Sequence, residues 1–174
     1  MTRALDLGCG EKPRNDYKAG EVYGIDIIEQ KGNNISTVDL ACSPIPFPDE
    51  FFDFVTAYDF LEHIPRHGFI DGRSVMPFLA LMDEIFRVLR QGGVFFSDTP
   101  AFPEDMTKEG ATRDLHLCFA DPTHVNVISL YTFPFYFCEP HCWAKQYGFK
   151  GRFELVSQEF RGMNLMSTIK KSST

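Results

Sequence analysis

The stretch Leu5-Asp6-Leu7-Gly8-Cys9-Gly10 constrains this chain more than any other. A short apolar run (Ala4, Leu5, Leu7) ends in two glycines one residue apart, so a buried strand turns sharply there. Glycine admits positive φ and lets a ligand approach the main chain with no Cβ in the way. Val22-Tyr23-Gly24-Ile25-Asp26 is a second β-rich run, ending in an acid 16 residues after Gly10. A Gly-x-Gly alone ends many strands. Followed by a strand-end carboxylate, it is an arrangement that holds ribose hydroxyls.

Asp6-Leu7-Gly8-Cys9-Gly10 resembles the first motif of class I S-adenosylmethionine-dependent methyltransferases, and Asp26 matches their second-strand acid. Phe47-Pro48-Asp49-Glu50-Phe51-Phe52-Asp53-Phe54-Val55 and Leu61-Glu62-His63-Ile64 look like their fourth-strand region. Arg87-Val88-Leu89-Arg90-Gln91-Gly92-Gly93 resembles the helix end before their fifth strand. The matches fall in the family's order over residues 4 to 98. They imply an α/β fold: a Rossmann-like, seven-stranded, mostly parallel sheet with the last strand antiparallel. They imply S-adenosyl-L-methionine as cofactor, with Asp6, Gly8, Cys9 and Gly10 at its turn. The three-glycine dinucleotide fingerprint is absent, which disfavours a nicotinamide dehydrogenase.

With 174 residues the expectation is one domain, 1–174, long enough to bury a full core. No apolar run approaches the roughly 20 residues that a membrane span needs. The chain enters its first strand within three residues, leaving no room for a signal peptide, so the expected location is cytoplasmic. A net charge of −7 argues against nucleic-acid partners, whose affinity rests on phosphate neutralisation. The five cysteines are an odd number, so free thiols are the default.

Residues 11 to 21 carry Pro13 and a polar series, which allows two turns of helix at most. The first crossover helix is therefore expected to be shortened. Lys12 and Arg14 sit where a cation meets the cofactor carboxylate or, more simply, are solvated loop charges. Asn34 to Leu40 reads as the third strand. In the family Asp39 would face the adenine amine, with Leu40 and Ile27 against the ring; as ordinary residues the two apolar ones are core. Phe51 to Tyr58 reads as a fourth strand buried on both faces, with Tyr58 and Asp59 at its ligand end. Asp59 either approaches the sulfonium and substrate or caps the next turn. Ser74 reads as the N-cap of a helix running to Arg90, with Gly92 ending it and Gly93 to Asp98 as the fifth strand. Two short helical pieces before Gly148 and two closing strands, Glu154 to Phe160 and Leu165 to Lys170, complete the chain.

Residues 99 to 128 form a long connection on the ligand side, expected to be a substrate lid. It holds the candidate catalytic groups His124, His116 and Asp114. His124 is first choice as general base, because the stiff Asp121-Pro122-Thr123-His124 turn fixes its imidazole. The same region carries a Cys/His run (His116, Cys118, His124, Cys138, His141, Cys142). Paired Cys-x-x-Cys spacing is absent, so no metal is expected. The reading is methyl transfer to a small-molecule acceptor, such as a sugar or other metabolite. The alternatives are a non-catalytic cofactor-binding or partner-binding module, or a protein or RNA methyltransferase. The acceptor atom and the oligomeric state do not follow from the sequence.

Overall fold

The apolar runs around the glycine turn become the centre of a single sheet. A computed structural model describes residues 1–172, so the last two residues of the expected 1–174 domain lie outside the described ones. The strands are β1 (Arg3–Leu7), β2 (Glu21–Asp26), β3 (Ile35–Thr37), β4 (Phe52–Tyr58), β5 (Gly68–Ile70), β6 (Arg73–Val75), β7 (Leu89–Pro100), β8 (Phe153–Arg161) and β9 (Asn164–Lys171). The helices are α1 (Pro77–Val88), α2 (Ala111–Cys118) and α3 (Thr132–Tyr136), with 3-10 turns at Leu61–His63 and Trp143–Tyr147. Seven strands form the main sheet in the order β3-β2-β1-β4-β7-β9-β8. Strands β1 to β4 and β7 pair in parallel, and β9 runs antiparallel to both neighbours. This is the expected sheet.

One face is packed by α1, whose Phe78, Leu81, Met82, Ile85 and Val88 recur at helical spacing and are all buried. They join Leu5, Leu7, Val55, Ala57 and Phe95 in one core. Each such side chain removed from water contributes about 1.5–3 kcal/mol before entropy is counted. Because side chains alternate along a strand, Asp6, Phe54, Thr56 and Phe96 point to the opposite face.

That opposite face departs from expectation. No helix occupies residues 8–20; the shortened crossover helix is replaced by a looped segment. Asn15 explains part of this: its side chain accepts from Ala19 N at 2.7 Å and donates to Ala19 O at 3.0 Å. A side chain that bonds the backbone locally competes with helix hydrogen bonding. The segment covers the sheet with Tyr17, whose ring stacks on Phe54 with centroids 4.3 Å apart. Cover there is partial: Asp53, Phe54 and Tyr58 of β4 are only half-buried, not sealed on both faces.

Three further boundaries move. Asp71 and Gly72 take φ of 50° and 74°, the pair of positive values a tight hairpin turn needs, so β5 and β6 pair across them. Ser74 lies in β6, and α1 starts at Pro77 behind Met76 without a side-chain cap. At its other end α1 stops at Val88 and β7 begins at once. Gly92, with φ 71°, sits within β7, where the β4 pairing shifts between Phe52 and Phe54, and does not end the helix. β3 covers three residues only, leaving Val38 to Leu40 beyond its end.

The proline-rich loop before β4 is tied to α1 through Arg87. Its guanidinium donates to Glu84 Oε1 (2.9 Å) and Oε2 (2.7 Å), Ile45 O (2.9 Å), Phe47 O (2.8 Å) and Asp49 Oδ1 (2.8 Å). Hydrogen bonding from Arg87 holds the Glu84 carboxyl below its ordinary range. A depressed carboxyl stabilises the fold above its unfolded pKa, and that contribution is lost as pH falls through the folded value. Glu84→Gln should therefore lower unfolding stability at pH 7 by about 1 kcal/mol, a figure discounted for partial exposure. Urea unfolding from pH 7 to pH 3 should show the two proteins converging on the acid side. Curves that stay parallel throughout would remove this role for the charge.

Candidate functional site

The glycine turn and the end of β2 interlock. Gly8 N and Cys9 N both donate to Ile25 O, at 2.8 and 3.1 Å. Gly10 N donates to Asp26 Oδ2 at 2.8 Å and Ile28 N to Asp26 Oδ1 at 2.9 Å. Both oxygens of Asp26 are thus fixed by backbone amides, and the carboxylate stays half-exposed with lone pairs to spare. The glycines differ. A Cβ on Gly8 (φ 68°) lies 2.6 Å from the Phe60 ring, whereas one on Gly10 (φ 57°) meets nothing within 4 Å. Ile27 and Ile28 follow, 64% and 67% exposed, an apolar pair that the chain itself leaves uncovered.

The other expected contact residues divide. Asp6 is 2% exposed and does not face the open turn: its Oδ1 accepts from Thr56 Oγ1 at 2.7 Å and its Oδ2 from Arg14 N at 2.8 Å. Burial pushes its carboxyl up, and those bonds oppose the shift. Cys9 is half-buried, its thiol against Gly10 O and raised to about 11, chiefly by burial. Asp39 is exposed and caps its own turn, Oδ1 accepting from Ala41 N at 2.9 Å. Leu40 is core, 6% exposed, and borders a pocket against α1 rather than an open ring-facing surface. The Tyr58 hydroxyl bonds Asp16, and the Arg14 guanidinium lies 3.9 Å over its ring. Arg14 therefore stacks on Tyr58, while Lys12 is exposed. Asp59 takes φ 45°; its amide donates to Asp98 O and its Oδ1 accepts from Asn164 Nδ2 at 3.2 Å.

Beyond β4 lies a second constellation. Glu62 is 1% exposed; its Oε2 accepts from Thr99 Oγ1 at 2.7 Å, and its Oε1 has no hydrogen-bond partner among the described residues. Burial drives its carboxyl upward. The rings of His63 and His124 meet edge to face with centroids 4.9 Å apart. His124 Nδ1 lies 2.8 Å from Cys118 O, an acceptor, so Nδ1 carries the proton. Thr123 Oγ1 spends its proton on Asp121 Oδ1 at 2.6 Å, so it and Thr123 O both accept from His63 Nδ1, at 3.0 and 3.2 Å. The neutral form of each ring therefore has its free lone pair on Nε2.

His116 and Asp114, the other candidate catalytic groups, lie on α2. His116 is exposed, and Asp114 pairs with Arg113 at 3.2 Å. Among the described residues the Cys/His run does not converge either. Cys118, Cys138 and Cys142 are buried free thiols, with Cys138 pushed up to about 12 by burial, and His141 packs on Phe135 and Trp143. Glu62 and His63 were legible only as an acid-histidine pair between apolar residues; His124 reaches them from 61 residues away.

A family profile described as a methyltransferase domain matches residues 5–97, more than half of the chain. The chain belongs to that family. It is an enzyme of methyl transfer and uses S-adenosylmethionine. Among curated proteins none matches its sequence. Solved structures similar to it include a methyltransferase from Methanosarcina mazei, with 16% identity, 99% of this chain and 93% of that one covered, and a TM-score of 0.63. YcgJ of Bacillus subtilis shares 17%, covering 100% and 93%, with a TM-score of 0.62. A methyltransferase from Archaeoglobus fulgidus shares 17%, covering 98% and 86%, with a TM-score of 0.60. At these identities the likeness is one of fold.

The glycine turn of this methyltransferase fits its cofactor on two counts: the space above Gly10 is open, and the clamped carboxylate beside it retains acceptor capacity. A pocket of about 380 Å³ between Phe78, Tyr131, Tyr136 and Tyr147 is lined by none of these residues. Gly8→Ala should destabilise the methyltransferase by at least about 1–2 kcal/mol, because left-handed backbone carries that cost for a residue with a Cβ and Phe60 must move as well. Thermal unfolding measures it, and an unchanged midpoint would mean that the turn relaxes freely.

Proposed function

We propose that this methyltransferase methylates a small-molecule acceptor, a sugar or another metabolite, at the carboxyl ends of β1, β2, β4 and β7. The observation that carries the assignment of the site is Asp26, locked at both oxygens beside the open Gly10. In this reading Asp26 accepts from the cofactor ribose hydroxyls, and the amides of Gly10 and Ile28 fix its direction. Ile27 and Ile28 offer apolar surface to the adenine. Gly8, Cys9 and Gly10 shape the main chain that the cofactor approaches, and Asp6 acts at one remove by pinning Arg14 N and Thr56. Tyr58 and Asp59 border the reactive end. Bound there, the cofactor supplies an activated methyl group on a sulfonium. The protein's task is to align the acceptor and exclude water, so positioning carries much of the rate.

His124 is the proposed proton acceptor. Its Nε2 is free, while Asp121 Oδ2 stands 3.9 Å away, too far for a hydrogen bond. Of the expected lid, residues 99 to 128, Thr99 and Pro100 belong to β7; the stretch beyond them is proposed as the lid of a single domain. Both ends of the segment are anchored: Phe102 N donates to Ile128 O, and Val125 and Asn126 amides donate to Glu62 O. Between those anchors Phe119 and Leu117 are exposed, 51% and 46%. The space walled by Glu62, Phe102, Cys118 and Asn126 is about 10 Å³, too small for an acceptor with the segment in this position. Acidic net charge favours a small acceptor over a polyanion.

Calorimetry should show S-adenosylhomocysteine binding, weakened in Asp26→Ala by at least about 1.5 kcal/mol, as for a lost charge-assisted hydrogen bond. Unchanged affinity would remove Asp26 from the ribose; no binding by the folded wild type would remove the site. Amide exchange across residues 103–120 should be fast in the free protein and slow once cofactor and acceptor are bound. Protection already complete without ligands would make that segment scaffold rather than lid.

A further inference from the structure

We propose that Glu62, His63 and His124 form a site for a divalent first-row metal ion of the Mn²⁺, Co²⁺ or Zn²⁺ type, and that its ligand class is a hydroxyl-bearing acceptor. The inference rests on the methyltransferase site above and specifies its acceptor. One ligand atom from each of the three residues lies within 4.8 Å of the others. Two imidazoles and one carboxylate are a donor set that intermediate divalent cations take, leaving coordination positions open.

Three features go beyond simple proximity. The Glu62 carboxylate is 1% exposed, and its Oε1 has no donor among the described residues, a costly state for a buried oxygen that a cation relieves. Both histidines donate Nδ1–H to the backbone, His124 to Cys118 O and His63 to Thr123 O, leaving Nε2 as the available ligand on each. That is the outer-shell pattern that fixes the tautomer and direction of metal-binding imidazoles. Thr99 Oγ1 in turn orients Glu62 Oε2 at 2.7 Å. Bonds of about 2.1 Å place donor atoms roughly 3.0–3.5 Å apart, so binding draws the set together, chiefly through the half-buried His63.

The location suits a role in the reaction. Glu62 and His63 follow β4 directly, Thr99 is near the end of β7, and Phe60 packs against Gly8 of the cofactor turn. A hydroxyl oxygen coordinated in an open position loses its proton more readily, the proton passing to solvent, and becomes the better methyl acceptor. In the metal-loaded protein the ion then takes over what the His124 lone pair does without it. This set shares only His124 with the Cys/His run on which the expectation of no metal was based.

The test uses chelator-stripped full-length protein titrated with Mn²⁺, with depletion of the free-ion electron paramagnetic resonance signal as readout. Wild type should take up one ion per chain saturably. Glu62→Gln, which keeps the shape and the Thr99 bond, and His63→Ala should each weaken uptake at least tenfold, and His141→Ala should leave it unchanged. No saturable uptake, or uptake that neither Glu62→Gln nor His63→Ala alters, overturns the site. Binding of S-adenosylhomocysteine is measured on the same samples. Cofactor binding without metal uptake defeats this inference alone, whereas metal uptake without cofactor binding defeats the site assignment on which the acceptor class rests.

Discussion

The buried carboxylate of Asp6 is the constraint on which the rest of the ligand face depends. It sits in β1 between two neighbours, accepting hydrogen bonds from the Thr56 hydroxyl of β4 and from the Arg14 backbone amide. A carboxylate taken out of water needs such donors, and removing one exposes the full desolvation cost. Here the donors also do structural work, because they hold the 8–20 segment against a sheet that has no helix there. Through that segment Arg14 reaches the ring of Tyr58, Asp16 reaches its hydroxyl, and Tyr17 covers Phe54.

The two faces of the sheet consequently serve different ends. Where α1 packs, alternate residues of β1, β4 and β7 are sealed in apolar contact, and the geometry is rigid. On the other face, polar pairs and stacked rings replace apolar volume. The backbone proposed to meet the cofactor lies where a rigid strand meets a loop pinned by hydrogen bonds: at Gly8 to Gly10, at Asp26 to Ile28, and at Asp59. Positive φ at Gly8, Gly10 and Asp59 marks the same line. Glycine adopts it freely, whereas at Asp59 it is strain that persists only where surrounding contacts fix it.

Local chemistry made much of this legible. The Leu5–Gly10 run, the acid at Asp26, the period of α1 and the closing strand pair each announce themselves within a dozen residues, and the sheet follows from their order. The missed boundaries were also local in signal but ambiguous in meaning. Asp71-Gly72 serves a hairpin as well as a helix approach, and Gly92 serves a bulge as well as a helix end. Leu40 reads as a ring-facing residue only until its burial against α1 is seen.

The sequence by itself determined the sheet, the glycine turn and the family, because each depends on residues adjacent in the chain and on hydrophobic periodicity. Tertiary structure alone decided which acids face outward and which histidine has partners. Asp6 and Asp26 are both strand acids two residues from a glycine, yet one is buried under a loop and the other stays half-open. His116, His124 and His63 look equivalent as letters. Contacts across 61 residues bring His124 to His63, and the bonds to Cys118 O and Thr123 O set which ring nitrogen is free. Such pairing is governed by packing of distant segments, for which no local pattern exists.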